Sequence, residues 1–242
     1  SPDEEAARLR HLAHYARLGT DEAIGQRETD RAVFDAHGRE IENLQTAITF
    51  GSTGSAGDEL ALCTIALTEY FHLRGPLQTA FELGERVLEL LPDSMQKGRL
   101  CSSIGLSYVR TGDYAHALAC TERGLELCQQ SGILAAEARA TIQHGFVHLH
   151  FHQLDSASPL LNRGAVLADQ TPLVRWQAVA RLFQGLVLLE GGQLQAAMSC
   201  CEDALELSVV ANNKRAEGWV RRVFAKVRQH EGEMDEVFVH AR

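Results

Sequence analysis

Four histidines fall close together, at His144, His148, His150 and His152. On a helix the spacings 144/148 and 148/152 align three imidazoles along one stripe. Two or three imidazoles could begin a zinc site. No Asp, Glu or Cys ligand stands beside them, and Glu137 lies further off. A metal-dependent enzyme or sensor on the His144–His152 cluster is therefore the weakest functional reading, and no metal or cofactor is expected.

Other reactive types are equally sparse. The six cysteines, Cys63, Cys101, Cys120, Cys128, Cys200 and Cys201, form no C-x-x-C pair. Neighbours on a helix point about 100° apart, so a Cys200–Cys201 disulfide would be strained. Reduced, buried cysteines in a cytosolic protein are expected. Lys214, Arg215, Arg221, Arg222, Lys226 and Arg228 surround Trp219, a mixture that could meet nucleic acid. The formal net charge of −9 argues against that through this domain, and a solvated helix face is expected. No Ser/His/Asp or Cys/His order can be assigned, and no G-x-x-x-x-G-K-[ST] loop occurs. The chain is read as non-catalytic.

The elements that would position these residues are helical. The 242 residues include only 5 Pro and 6% aromatics, with Ala, Leu, Glu, Gln and Arg dominant. No apolar run approaches the roughly 20 residues that cross a bilayer. The N-terminus, Ser1-Pro2-Asp3-Glu4-Glu5, carries no signal-peptide core and no initiator Met. A cytoplasmic piece of a longer protein is the expectation.

An internal repeat organises the chain. Gly105, Gly145 and Gly185 stand 40 residues apart, as do Ala117, Ala157 and Ala197, and Leu127, Leu167 and Leu207. Tyr114, Leu154 and Leu194 share the step, and Gly124, Gly164 and Ala204 extend it. Each unit reads as a helix, a Gly-containing turn and a second helix. Gly112 and Gly192 would end the first helix in a left-handed conformation, while His152-Gln153 occupies the equivalent turn without a Gly. His144 shares a column with Ile104 and Gln184, and His148 with Tyr108 and Leu188, columns that face the partner helix. Polar core substitution follows. Cys201 shares its column with Leu161 and Thr121, so a buried small side chain is expected there. Ala225, Gly232, Met234 and Val237 continue the step and predict a last turn at Gly232.

These columns resemble the tetratricopeptide repeat (TPR), over residues 58–242. The period is longer than that family's usual ~34 residues, so longer helices are implied. The resemblance implies an all-α fold: a right-handed TPR-like helical-hairpin solenoid of four full hairpins and a partial fifth, preceded by an N-terminal helical segment and connector over 1–57. In that segment, residues 4–18 and 31–50 read as amphipathic helices, 19–30 as a polar stretch and 51–57 as a flexible connector. The run Arg39-Glu40-Ile41-Glu42-Asn43-Leu44-Gln45-Thr46-Ala47-Ile48 resembles the "E-x-x-N-L-x-x-A-L" helix of bacterial STAND-class signal-transduction ATPases. Arg8–Tyr15 resembles the helix before it. There the segment joins an NTPase and winged-helix module to a TPR arm, which implies a LuxR-type or similar transcriptional regulator.

The TPR pattern implies which positions line the concave surface. They are Arg99, Ser102, Leu106, Val109 and Arg110 in one unit, and Arg139, Ile142, Phe146, Leu149 and His150 in the next. The third unit adds Val179, Leu182, Leu186, Leu189 and Glu190. The implied groove has an apolar floor and a basic rim suited to a protein or peptide, such as an amphipathic helix with acidic groups. A small inducer is a second kind of ligand. A freestanding adaptor, scaffolding partners or forming a homo-oligomer through solenoid ends, is the alternative function.

Overall fold

A computed structural model describes the backbone of residues 2–53 and 57–240, and the side chains of residues 3–53 and 57–229. Among the described residues there is no strand. The N-terminal part comprises α1 (Pro2–Ala16), α2 (Asp21–Thr29), α3 (Arg31–Arg39) and α4 (Ile41–Gly51), with a 3-10 turn at Arg17–Gly19. Paired helices follow: α5 (Gly57–Arg74) with α6 (Leu77–Leu90), α7 (Met95–Thr111) with α8 (Tyr114–Gln130), α9 (Leu134–His150) with α10 (Leu154–Asp169), and α11 (Val174–Glu190) with α12 (Leu194–Val210). The last helix is α13 (Lys214–His240).

The repeat columns explain the pairing. A Cβ placed on Gly105 would lie 2.6 Å from Thr121 Cγ2, and one on Gly185 would lie 2.9 Å from Cys201 Sγ. The helices of each hairpin therefore meet where the glycine column faces the Thr121/Leu161/Cys201 column. Thr121, Leu161 and Cys201 are all fully buried. The turns are built alike too. Asp113, Gln153, Gln193 and Asn213 each donate a backbone N–H to the carbonyl five residues back, at 2.8–3.2 Å. The residue before each bond has positive φ: Gly112 (75°), His152 (58°), Gly192 (75°) and Asn212 (51°). His152 thus adopts the left-handed backbone that glycine adopts in the other two units, at some steric cost.

Four local expectations are corrected. The polar stretch 19–30 contains the helix α2, started by Thr20, whose side chain accepts from the Ala23 N–H, and by Asp21 and Glu22 in its first turn. The expected helix 31–50 breaks at Glu40 into α3 and α4, and Glu40 instead takes the Tyr15 hydroxyl at 2.9 Å and the Asn43 amide at 2.8 Å. Residues 51–57 are not wholly a connector, because Gly51 closes α4 and Gly57 opens α5. Residues 54–56 lie outside the described residues. The turn expected at Gly232 is replaced by one helix of 27 residues, since a single glycine costs a helix only about 1 kcal/mol.

The N-terminal helices are seated on the first hairpin. Leu12, Leu44, Ala47 and Ile48 are buried in one cluster with Leu60, Ile65 and Leu67 of α5. On α3, Phe34 and His37 both stack on Tyr70 of α5, at ring distances of 5.1 and 5.7 Å. Between these anchors α2 swings across the first helices of the later hairpins as far as α13.

Candidate functional site

The first helices α5, α7, α9, α11 and α13 line one cleft of about 660 Å³. Its most regular feature is a set of arginines. Arg99 and Arg139 stand 40 residues apart, and so do Arg175 and Arg215. Arg175 precedes Val179, which continues the first column, by about one helical turn. Repetition therefore brings four guanidiniums to one cleft.

The helix α2 lies over them. Asp21 Oδ1 accepts from Arg99 Nη2 at 2.8 Å and from Arg139 Nη1 at 2.5 Å. The Gly19 carbonyl accepts from Arg99 Nη2 at 2.9 Å. Seven residues on, close to two turns and so on the same face, Glu28 takes Arg175 Nε at 2.7 Å and Arg215 Nη1 at 3.3 Å. Burial pushes both carboxyls up, but the arginines win. Asp21 is held below the ordinary carboxylate range by Arg139 and Arg99, and Glu28 by Arg175, Arg215 and Arg27. Burial likewise lowers Arg99 to about 10, still charged at neutral pH.

This corrects the basic rim. Arg99 and Arg139 are only 6% exposed at their side chains and are covered by an acidic helix of the same chain. Arg110 is exposed and donates to the His72 carbonyl of α5. Sequence reasoning missed Asp21, Glu28, Arg175 and Arg215. The 40-residue step of Arg175 and Arg215, and the seven-residue step of the two acids, were the available signals.

Beyond α2 the cleft wall is apolar. Leu106, Phe146, Leu182 and Leu186 line it, and Phe146 stacks on Phe183 at 4.7 Å. His150, Glu190, Arg110 and Arg222 stand along it, and Arg222 also lies over the Trp219 ring at 5.7 Å. Two residues expected in the groove are elsewhere. Ser102 and Ile142 are buried against the second helices, where a Cβ on Gly124 would lie 2.3 Å from Ser102 Oγ and one on Gly164 2.6 Å from Ile142 Cγ1. Each follows its column arginine by three residues, which turns it about 60° off the groove stripe. Leu182, in the same column, does line the cleft.

The histidines diverge. His144 is buried between hairpins rather than against its own partner helix as its column suggested: it lies 3.0 Å from Thr121 Oγ1 of α8, and burial with His148 nearby lowers its pKa to about 4. His148 lies 3.3 Å from the Tyr114 hydroxyl. His150 borders the cleft, and His152 sits at the turn, 3.0 Å from Glu190. Among the described residues no three His, Cys, Asp or Glu are placed to hold a metal. Burial pushes the Cys201 thiol up to about 11 and that of Cys200 up as well, so neither is an activated nucleophile. The basic stretch of α13 is divided: Arg215 pairs with Glu28, Lys214 with Glu217 at 2.7 Å, and Arg222 borders the cleft.

No protein-family model and no curated protein sequence matches the chain. Solved structures do. BtubC (BKLC) from P. vanneervenii superposes with a TM-score of 0.62 at 15% identity, over 87% of this chain and 92% of its own. Nearly identical TPR-like repeats assigned to a Podosopora anserina kinesin light chain superpose at 0.57 and 0.55 in two crystal structures. Both have 14% identity over 81% of this chain and 96% of theirs. The fold is a TPR-like helical solenoid. At this identity the likeness speaks for the fold alone. No described helix is long and apolar enough to cross a membrane.

Proposed function

We propose that this solenoid is a non-catalytic recognition module of the cytoplasm, and that its first-helix cleft takes a protein or peptide segment. The observation that carries this reading is the cleft itself. Its apolar wall of Leu106, Phe146 and Leu186 runs beside ionised side chains at Arg110, Glu190 and Arg222. Such a surface suits an amphipathic segment. A volume of about 660 Å³ also suits a small inducer. The N-terminal resemblance, placed just before the repeats, supports a sensor arm of a larger bacterial regulatory ATPase or transcriptional regulator. Ligand in the cleft would then change the packing of the stack, and the joined NTPase would read that change.

Val209 and Val210, 57% and 74% exposed at the end of α12, favour a second reading. In it the chain is a freestanding adaptor that self-associates or scaffolds partners. Blotting the native source separates the two. A product far larger than 242 residues supports the regulator arm, and one near that length sinks it. The recognition role itself fails if charge-introducing substitutions at Phe146 and Leu186 leave partner capture unchanged in a folded chain.

A further inference from the structure

The arginine columns and α2 together describe a second, more specific site. Resting on the recognition reading, we propose that the Arg99/Arg139 and Arg175/Arg215 columns form a docking site for an acidic helix with two carboxylates seven residues apart. In this proposal α2 is its resident occupant, displaceable by a partner presenting the same pair.

Four observations carry this. First, the columns are made by the repeat: two pairs at a step of 40, offset by four residues, put four cations on successive first helices. Second, α2 shows what the ladder holds. Asp21 bridges the first pair and Glu28 the second, about 10 Å apart along a helix. Third, α2 leaves the site incompletely satisfied. The two α2 carboxylates, with Glu69 of α5 acting on Arg99 and Arg175 from the same cleft, serve four guanidiniums, and Arg99 Nε, Arg139 Nη2 and Trp176 Nε1 are buried donors with no hydrogen-bond partner among the described residues. All three belong to residues that line the cleft and are at most 9% exposed. Leaving buried donors unmade is costly, so an occupant bringing more acceptors binds better than α2. Fourth, α2 is held by charge more than by apolar packing. It has nine residues, too few to be helical alone, and Ile24 is its one buried apolar side chain. The Asp21 side chain is still 41% exposed. Its grip is mainly ionic.

Release of α2 would uncover the ladder, so the same contact that closes the cleft in isolation would make binding of an acidic partner switch-like. The open apolar wall at Phe146 and Leu186 needs no such release.

The test uses the full chain and a fluorescein-labelled peptide of residues 17–40 as the acidic probe, by anisotropy in 50 mM salt. The wild-type chain is expected to bind weakly, because α2 competes at high effective concentration. Asp21→Lys with Glu28→Lys should tighten binding at least tenfold, and adding Arg99→Gln with Arg139→Gln should return it to background. Absence of any gain, or a gain that survives loss of the arginines, overturns the proposal. Should the lysine variant fail to fold by circular dichroism, hydrogen exchange on the wild-type chain decides. Raising salt from 0.05 to 0.5 M should speed exchange in residues 22–29 at least fivefold with α5 unchanged, and equal protection at both salts overturns it. Failure of the recognition reading is visible separately, as partner capture insensitive to Phe146 and Leu186 while the peptide result stands.

Discussion

The two halves of the cleft are built from the same helices but are filled in opposite ways. Under α2 the solenoid presents guanidiniums, and the chain supplies carboxylates to cover them. Beyond α2 it presents Leu106, Phe146 and Leu186, which no segment of α2 covers by ion pairing. Charge in a partly buried cleft must be matched nearby, because desolvation costs several kcal/mol per ion. Apolar wall can wait for a partner at far smaller cost. The covered half is therefore expected to be sensitive to single charge deletions, and the open half to be tolerant in stability yet sensitive in binding.

The sharpest way to break this contrast is Glu28→Ala. It strips Arg175 of its carboxylate where both side chains are largely buried, at 20% and 12% exposure. A loss of about 3 kcal/mol in urea unfolding is expected. A loss below about 0.5 kcal/mol would mean that the ladder does not hold α2. In the open half, Phe146→Ala removes a half-buried ring stacked on Phe183 and should cost about 1–2 kcal/mol. Its larger effect should be on partner or inducer affinity, measured by calorimetry.

Acid distinguishes the regions further. His37, on α3, is lowered to about 3 by burial and by Arg27, and His144, in the α9–α8 seam, to about 4. Both are depressed, so the stability tied to their neutral forms is present above about 6.5 and is lost as pH falls through 6.5 toward 4 and 3. Tm should drop over that window, and His144→Gln, matching Gln184 of the next unit, should flatten the drop. A flat Tm between pH 6.5 and 4 in the native sequence would show that neither histidine is held neutral. The smallest effect belongs to the exposed Arg31–Asp35 pair on α3, with side chains 74% and 47% exposed. Asp35→Asn should change stability by less than about 0.5 kcal/mol.

Much of the solenoid was legible in the residues. The glycine and alanine columns mark where helices approach, and the structure places them in the hairpin seams. Cys201 could be assigned to that seam because it shares a column with Leu161, whereas His144, buried as its column with Ile104 suggests, packs on α8 of the preceding hairpin and not on its own partner helix. The last turn was misread at Gly232, because glycine in one unit signals a turn only when its neighbours also stop the helix. Ser102 and Ile142 were misread because a position in a consensus does not fix a direction to within 60°.

The sequence by itself determined the repeat, the helix pairs and the acidic balance, since these depend on local periodicity and composition. It also contained the four column arginines, but only Arg99 and Arg139 stood out, as an apparent rim. Only the tertiary structure decided that α2 exists as a helix inside a polar stretch and lies over those arginines. Asp21 meets Arg139 across 118 residues, and Glu28 meets Arg215 across 187. Nothing local specifies such a pair. It arises because α1 and α3 anchor on α5 and leave the segment between them facing a row of cations that the folded repeats have brought together.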